Sequence, residues 1–171
     1  MRVLNQQETT YWLEQRGHVE DPHFSLDFGN LPEGYFHAQR YAPPAYGTIE
    51  SFTDQYLSEV VPDGELLLQI VEWDVWCDPR AYVIKCLLPT FDEAVPYRQM
   101  GGFLFEKSER AKGVALFSLT MSFMWKSYLY AESDRGALYN WEGEIFDFYT
   151  SSVTKLQEME KLFRQFNLQP V

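Results

Sequence analysis

Positive charge is missing from the middle of this 171-residue chain, because no lysine, arginine or histidine occurs between Tyr41 and Pro79. The same stretch contains eight carboxylates: Glu50, Asp54, Glu59, Asp63, Glu65, Glu72, Asp74 and Asp78. It therefore carries eight negative charges of a chain whose formal net charge is −11. Concentrated charge can steer a partner of the opposite sign. The overall acidity argues against direct binding to nucleic acid or to an anionic membrane, both of which need basic patches.

Long apolar runs and cysteines are also scarce. No apolar run reaches the roughly 20 residues that a transmembrane helix needs, and the N-terminal residues lack the apolar core of a signal peptide. We therefore expect a cytoplasmic protein, in which Cys77 and Cys86 remain reduced. The two cysteines flank a predicted hairpin turn at Asp78–Pro79 and should not face each other, so we expect buried, unreactive thiols.

Catalytic and cofactor motifs are missing too. The chain has no Gly-x-Ser-x-Gly elbow, and Gly101–Gly102 alone is too short for a phosphate-binding loop. Its three histidines are His18, His23 and His37, and the first two are spaced unlike the ligands of known zinc sites. We therefore predict no catalytic residue, no metal site and no cofactor.

The residues that are present predict a single α+β domain over residues 1–171, with an antiparallel sheet of about five to seven strands and three to four packed helices. Hydrophobic periodicity and capping signals predict four helices: Gln6–Arg16 after Asn5, Ile49–Val61 after Thr48, Ser108–Met124, and Val153–Phe166 after Ser152. Alternating patterns between turn signals predict these strands: Phe24–Phe28, Tyr35–Tyr41, Glu65–Trp76, Ala81–Leu88, Gly102–Glu106, Lys126–Ala131, Gly136–Trp141 and Glu144–Tyr149.

One of these segments, Ser108–Met124, fits both periodicities. Phe117, Leu119, Met121 and Phe123 alternate with polar residues, as they would in a strand. No turn signal precedes Trp125, however, so such a strand would continue to Tyr130 and exceed the usual five or six residues. We therefore predict a helix.

Two groups of residues are candidates for binding a partner. On the second helix Glu50 and Asp54 lie opposite the apolar face, and on the following strand Glu72, Asp74 and Trp76 share one face. Carboxylates gathered on one surface would make association with a basic partner fast and salt-sensitive, although the same charge could serve only solubility. A turn supplies the second group, Trp141, Glu142 and Glu144, where an aromatic ring stands beside acids, as in interface hot spots.

The favoured function is a non-enzymatic binding protein, an acidic inhibitor or immunity-type protein that neutralises a basic partner such as a bacterial toxin nuclease. In composition the chain is similar to small acidic immunity proteins of bacterial toxin systems, although no segment matches a motif of theirs. One alternative is a carboxylate-dependent hydrolase, glycosidic or metal-assisted, because Glu72 and Asp74 would lie about 7 Å apart on a strand. Another is a subunit of a larger assembly that uses the aromatic C-terminal hairpins. The sequence leaves the oligomeric state open.

Overall fold

The computed structural model of the chain describes residues 1–26, 31–43, 45–72, 100–133 and 135–171. These ranges contain seven strands: β1 (Arg2–Asn5), β2 (Phe36–Tyr41), β3 (Leu66–Glu72), β4 (Met100–Phe105), β5 (Lys126–Ala131), β6 (Ala137–Trp141) and β7 (Ile145–Thr150). They also contain five helices: α1 (Gln6–Arg16), the one-turn α2 (Pro22–Ser25), α3 (Tyr46–Gln55), α4 (Arg110–Ser122) and α5 (Val153–Gln165). A π-helical turn, Tyr56–Val60, extends α3, and a 3-10 turn, Lys107–Glu109, leads into α4.

The strands form one antiparallel sheet in the order β1-β4-β3-β5-β6-β7-β2. Four of the helices have ten or more residues. The predicted α+β class, with five to seven strands and three to four packed helices, is confirmed for the described residues. Among those residues, none of the helices is long and apolar enough to cross a bilayer.

The main core lies between one face of the sheet and the helices α3, α4 and α5. Phe52 of α3 stacks on Phe146 of β7 and on Phe163 of α5, with ring centroids 4.8 and 5.9 Å apart. Phe117 of α4 is also fully buried in this layer. Because side chains alternate along a strand, each strand that contributes to this core presents its other residues to the opposite face.

The opposite face is rich in tyrosine. Trp12 and Leu13 of α1 pack there over β1, β4 and β3. Beyond them, β5, β6 and β7 contribute four buried tyrosines, Tyr128, Tyr130, Tyr139 and Tyr149. We refer to the side of the sheet formed by these four residues as the tyrosine face.

Several local predictions are confirmed. Asn5 and Glu8 form the reciprocal capping box of α1, and Gly17 ends that helix in a left-handed conformation. Ser108–Met124 is mainly helical, as α4 shows. The Ser152 side chain accepts a hydrogen bond from the backbone of Lys155 and so caps α5 as predicted.

Three local predictions are wrong. A strand was predicted over Phe24–Phe28, but Pro22–Ser25 form a helical turn, because Pro22 at its first position favours a helix start. Helix α3 begins at Tyr46 instead of after Thr48, and Ala45 rather than a hydroxyl side chain occupies the cap position. The alternation predicted for Glu65–Trp76 is interrupted by an irregularity between Ile70 and Glu72. The predicted strand Ala81–Leu88 lies outside the described residues.

Candidate functional site

A row of apolar side chains lies at one end of the sheet, where β6, β7 and β2 are neighbours. Trp141 pairs with Ile145, and Ile145 pairs with Tyr41, so the three residues lie side by side across three strands. Trp141 is 36% exposed and Tyr41 is 51% exposed. Together with Glu142 and Glu144 in the β6–β7 turn, they form what we term the sheet-end surface.

The turn that carries the two carboxylates has a fixed geometry. The Glu144 N–H donates to the Trp141 carbonyl at 2.9 Å, and the Gly143 N–H donates to Asn140 Oδ1 at 2.8 Å. A Cβ on residue 143 would lie 2.5 Å from the Met121 carbonyl oxygen, so only glycine allows this close approach to the end of α4. The turn is therefore clamped against the helix layer, which fixes the direction of the residues beside it.

A histidine also contacts the Trp141 ring. The His23 ring meets the Trp141 ring edge-on, and it also lies against Tyr139, each at a centroid distance of 4.8 Å. His23 belongs to α2, which covers part of the tyrosine face. The indole of Trp141 is thus supported by a neighbouring ring while more than a third of it remains exposed.

A buried carboxylate lies close to this histidine. Asp147 of β7 has no exposed surface and lies between two imidazoles. His37 Nε2 is 2.8 Å from Oδ1 of Asp147, and His23 Nδ1 is 3.4 Å from Oδ2. A buried carboxylate is costly without such partners. Asp147 Oδ1 therefore orients His37 through a hydrogen bond, whereas Oδ2, which has no hydrogen-bond partner among the described residues, only lies near His23.

The segment that carries His23 is fastened to the tyrosine face through its backbone. Its Asp21 and His23 N–H groups donate to the hydroxyls of Tyr130 and Tyr128 at 3.3 and 3.2 Å. The Tyr128 hydroxyl donates to the Asp21 carboxylate. Burial raises the pKa of Tyr128 and of Tyr149 well above the ordinary value. These phenols therefore stay protonated at neutral pH, and the Tyr128 hydroxyl remains available as a hydrogen-bond donor to Asp21.

His18, at the start of the same segment, gives the fold a pH dependence. Its ring stacks on Trp12 and meets Tyr130 edge-on. Burial, as the main cause, lowers the pKa of His18 from 6.5 to about 4. Between these two values the unfolded chain binds a proton at this residue that the folded protein does not, so stability falls as the pH falls through that window.

We expect His18 to account for a stability loss of about 2 kcal/mol between about pH 7 and about pH 5. The His18→Phe variant keeps the stacked ring but cannot be protonated, so its loss over the same range should be smaller by about that amount. Urea denaturation of both proteins at the two pH values measures the difference. Equal losses in the two proteins would contradict the assignment.

The carboxylates predicted on the second helix are exposed and unneutralised. Glu50, Asp54 and Glu59 follow one another along the exposed side of α3 and its π-helical turn, and we term them the acidic row. Within the described residues, none of the three forms an ion pair or a side-chain hydrogen bond. Most other acids are engaged, as in the pairs Arg40–Glu160, Lys107–Asp63 and Lys155–Glu158.

The remaining predicted binding residues are placed as follows. Glu72 ends β3 opposite Lys126 of β5, and its side chain lies outside the described part of the chain, as do Asp74, Trp76, Cys77 and Cys86. The acidic row lies on the helix side of the sheet, whereas alternation places Trp141 on the tyrosine face. The structure thus divides the predicted binding residues between two surfaces.

A cleft of about 500 Å³ lies beside α1. Its Trp12 is covered by His18 on one side and by the Arg16 guanidinium, 4.2 Å from the ring centroid, on the other. Arg16 is itself paired with Glu65 and Glu132. The Trp12 ring, the Arg16 guanidinium and the Glu65 carboxylate therefore engage one another within the cleft. In the described ranges, no three His, Cys, Asp or Glu side chains are grouped so as to hold a metal ion.

Sequence reasoning missed His23 and Asp147 as parts of the site. Asp147 was predicted to lie on a strand, and an acidic residue between apolar neighbours on a buried strand is the signal that could have drawn attention to it.

Comparison of the chain with protein-family models, with curated proteins and with solved structures finds no significant match.

Proposed function

We propose that this chain is a non-enzymatic binding protein that neutralises a basic protein partner, in the manner of an inhibitor or immunity protein directed at a basic toxin nuclease. Such a role is compatible with a cytoplasmic protein. The observation that carries the proposal is the acidic row, in which three exposed carboxylates on one helix lack ion-pair partners within the described residues.

Repulsion within the acidic row lowers the stability of α3 in the isolated protein. Glu50 and Asp54 are four residues apart on α3, and like charges at that spacing destabilise a helix by a few tenths of a kcal/mol. Neither lysine nor arginine occurs on α3 to offset this repulsion. A basic partner would supply the missing counter-charges and convert the repulsion into attraction, which is the physical basis of charge-steered association.

Charge reversal on α3 tests the proposal. The double variant Glu50→Lys plus Asp54→Lys should slow association with a basic nuclease by about tenfold or more at low salt, because rim charges act mainly on the association rate. Surface plasmon resonance against a panel of basic nucleases measures this rate. At about 1 M salt, where the screening length is about 3 Å, the two proteins should associate at similar rates.

A matched control separates a local effect from a change in net charge. Glu14 and Glu33 are exposed and form no ion pair or side-chain hydrogen bond among the described residues, so Glu14→Lys plus Glu33→Lys makes the same change in charge elsewhere. The control should associate at nearly the wild-type rate. Equal slowing in both double variants, or no binding of any basic nuclease to the wild-type protein, would refute the proposal.

A further inference from the structure

The sheet-end surface has the dimensions of a small protein-contact patch. Neighbouring strands lie about 4.8 Å apart, so the row from Trp141 through Ile145 to Tyr41 spans about 10 Å. Single exposed apolar side chains are ordinary, but side chains that adjoin on adjacent strands form a continuous patch. This row is continuous because its members are paired in register.

The aromatic member of the row is already ordered before any partner arrives. Trp141 lies against His23, whose Nδ1 is 3.4 Å from Asp147 Oδ2. The turn after Trp141 is clamped by the close approach of Gly143 to Met121. A large ring that loses little freedom on binding makes an effective anchor, and tryptophan is enriched among the residues that dominate interfaces.

The carboxylates beside the row of Trp141, Ile145 and Tyr41 favour a positively charged segment of a partner. Glu144 is exposed and has no ion pair within the described residues, and Glu142 lies 3.2 Å from Lys126 while its side chain remains 43% exposed. A lysine or arginine over the Trp141 ring would gain a cation–π contact and would also approach these carboxylates. The apolar row favours a partner segment in which that lysine or arginine adjoins an apolar side chain.

The backbone at Glu142 places a glutamate in a conformation that carries a local cost. Glu142 and Gly143 have φ values of 52° and 75°. Positive φ at both central residues of a hairpin turn is normally met by Asn-Gly, Asp-Gly or Gly-Gly. Glutamate is a poor choice for this conformation, and Glu142→Asn would relieve the cost while removing the charge.

We infer that the sheet-end surface is the docking site for a basic segment of the protein partner in which a lysine or arginine adjoins an apolar side chain, with Trp141 as the anchor. This inference rests on the proposed function, since it assumes that the partner is a basic protein. Beyond the proposed function, it states which kind of segment of the partner is recognised. It also assigns that recognition to a surface separate from the acidic row.

Short peptides test the surface without the natural partner. The probes are Lys-Leu-Lys-Leu-Lys, Lys-Ser-Lys-Ser-Lys and Glu-Leu-Glu-Leu-Glu, each titrated into the full chain while the Trp141 indole N–H signal is followed by NMR. We expect the Lys-Leu peptide to bind with a Kd about fivefold lower than that of the Lys-Ser peptide. The Glu-Leu peptide should bind least, because Glu142 and Glu144 repel it.

Three variants locate the effect. Trp141→Ala, followed through backbone amide signals, should weaken the binding of both lysine peptides, because each loses the contact between a lysine and the indole ring. Tyr11→Ala removes a tyrosine that is 63% exposed on α1, away from this surface, and should leave both Kd values unchanged. Glu142→Asn should weaken binding of both lysine peptides although the protein becomes more resistant to urea, which separates a binding defect from unfolding.

The outcomes distinguish the inference from the function on which it rests. A Kd ratio of the two lysine peptides near one in the wild-type protein, or unchanged Kd values of both peptides in Trp141→Ala, overturns the inference. If basic nucleases bind in the same preparation and depend on Glu50 and Asp54, the proposed function survives that result. Failure of every basic nuclease and of both lysine peptides to bind overturns the two together.

Discussion

Replacement of Gly101 by alanine should destabilise the protein by about 3 kcal/mol. Gly101 lies on β4, where the start of α1 crosses the sheet. A Cβ at this position would lie 2.5 Å from the Asn5 carbonyl oxygen and 2.7 Å from the Gln6 Cα, and it would overlap the Thr9 hydroxyl. Two of these three obstacles are backbone atoms, so the contact is relieved only if α1 moves away from the sheet.

Urea denaturation measures this loss, and Gly47→Ala is the matched control. Gly47 lies in the first turn of α3, and a Cβ there would meet no atom within 4 Å among the described residues. Alanine is favoured over glycine in a helix, so this variant should be as stable as the wild type or more stable, by up to about 1 kcal/mol. A Gly101→Ala protein as stable as the Gly47→Ala protein would show that α1 does not pack against β4 as described.

Elements whose signals lie within a few residues could be predicted from the sequence. Helix α1 follows from the Asn5–Glu8 capping box and from Gly17, which are all within one short segment. The β6–β7 hairpin follows from Glu142–Gly143 between two alternating runs, and the exposed Trp141 was predicted from that turn alone. In each case the physical cause is a hydrogen bond or a backbone conformation that the neighbouring residues determine.

Features fixed by distant residues could not be predicted in this way. The helical turn α2 begins at Pro22, but its position on the sheet is fixed by tyrosine hydroxyls 105 and 109 residues away. Trp141 lies against His23, which is near Asp147, and Asp147 meets His37 across 110 residues of sequence. Nothing local to either residue indicates that the two strands are neighbours, so this part of the site required the sheet order.

The π-helical turn after α3 is a third feature fixed by a distant residue, and its stabilisation is open to test. Arg110 Nη1 donates to the carbonyls of Leu57 and Val61 at 2.6 Å each, and Nη2 donates to the Gly64 carbonyl at 3.3 Å. The carbonyls at a helix C-terminus have no partner within the helix. One guanidinium therefore caps the end of the segment that displays the acidic row.

Arg110→Met should lose about 3 kcal/mol of stability, because it keeps much of the apolar stem and removes three charge-assisted hydrogen bonds to part-buried carbonyls. Lys112→Met is the matched control, since it removes the same charge from the same helix at a side chain that is 64% exposed and pairs only with Glu109 in the described residues. That change should cost no more than about 0.5 kcal/mol. Arg110→Met should also raise amide hydrogen exchange over Tyr56–Val60, because the turn that carries Glu59 loses its cap.

Equal stability of the two variants, with unchanged exchange in this turn, would show that the turn is stabilised by its apolar packing and not by Arg110.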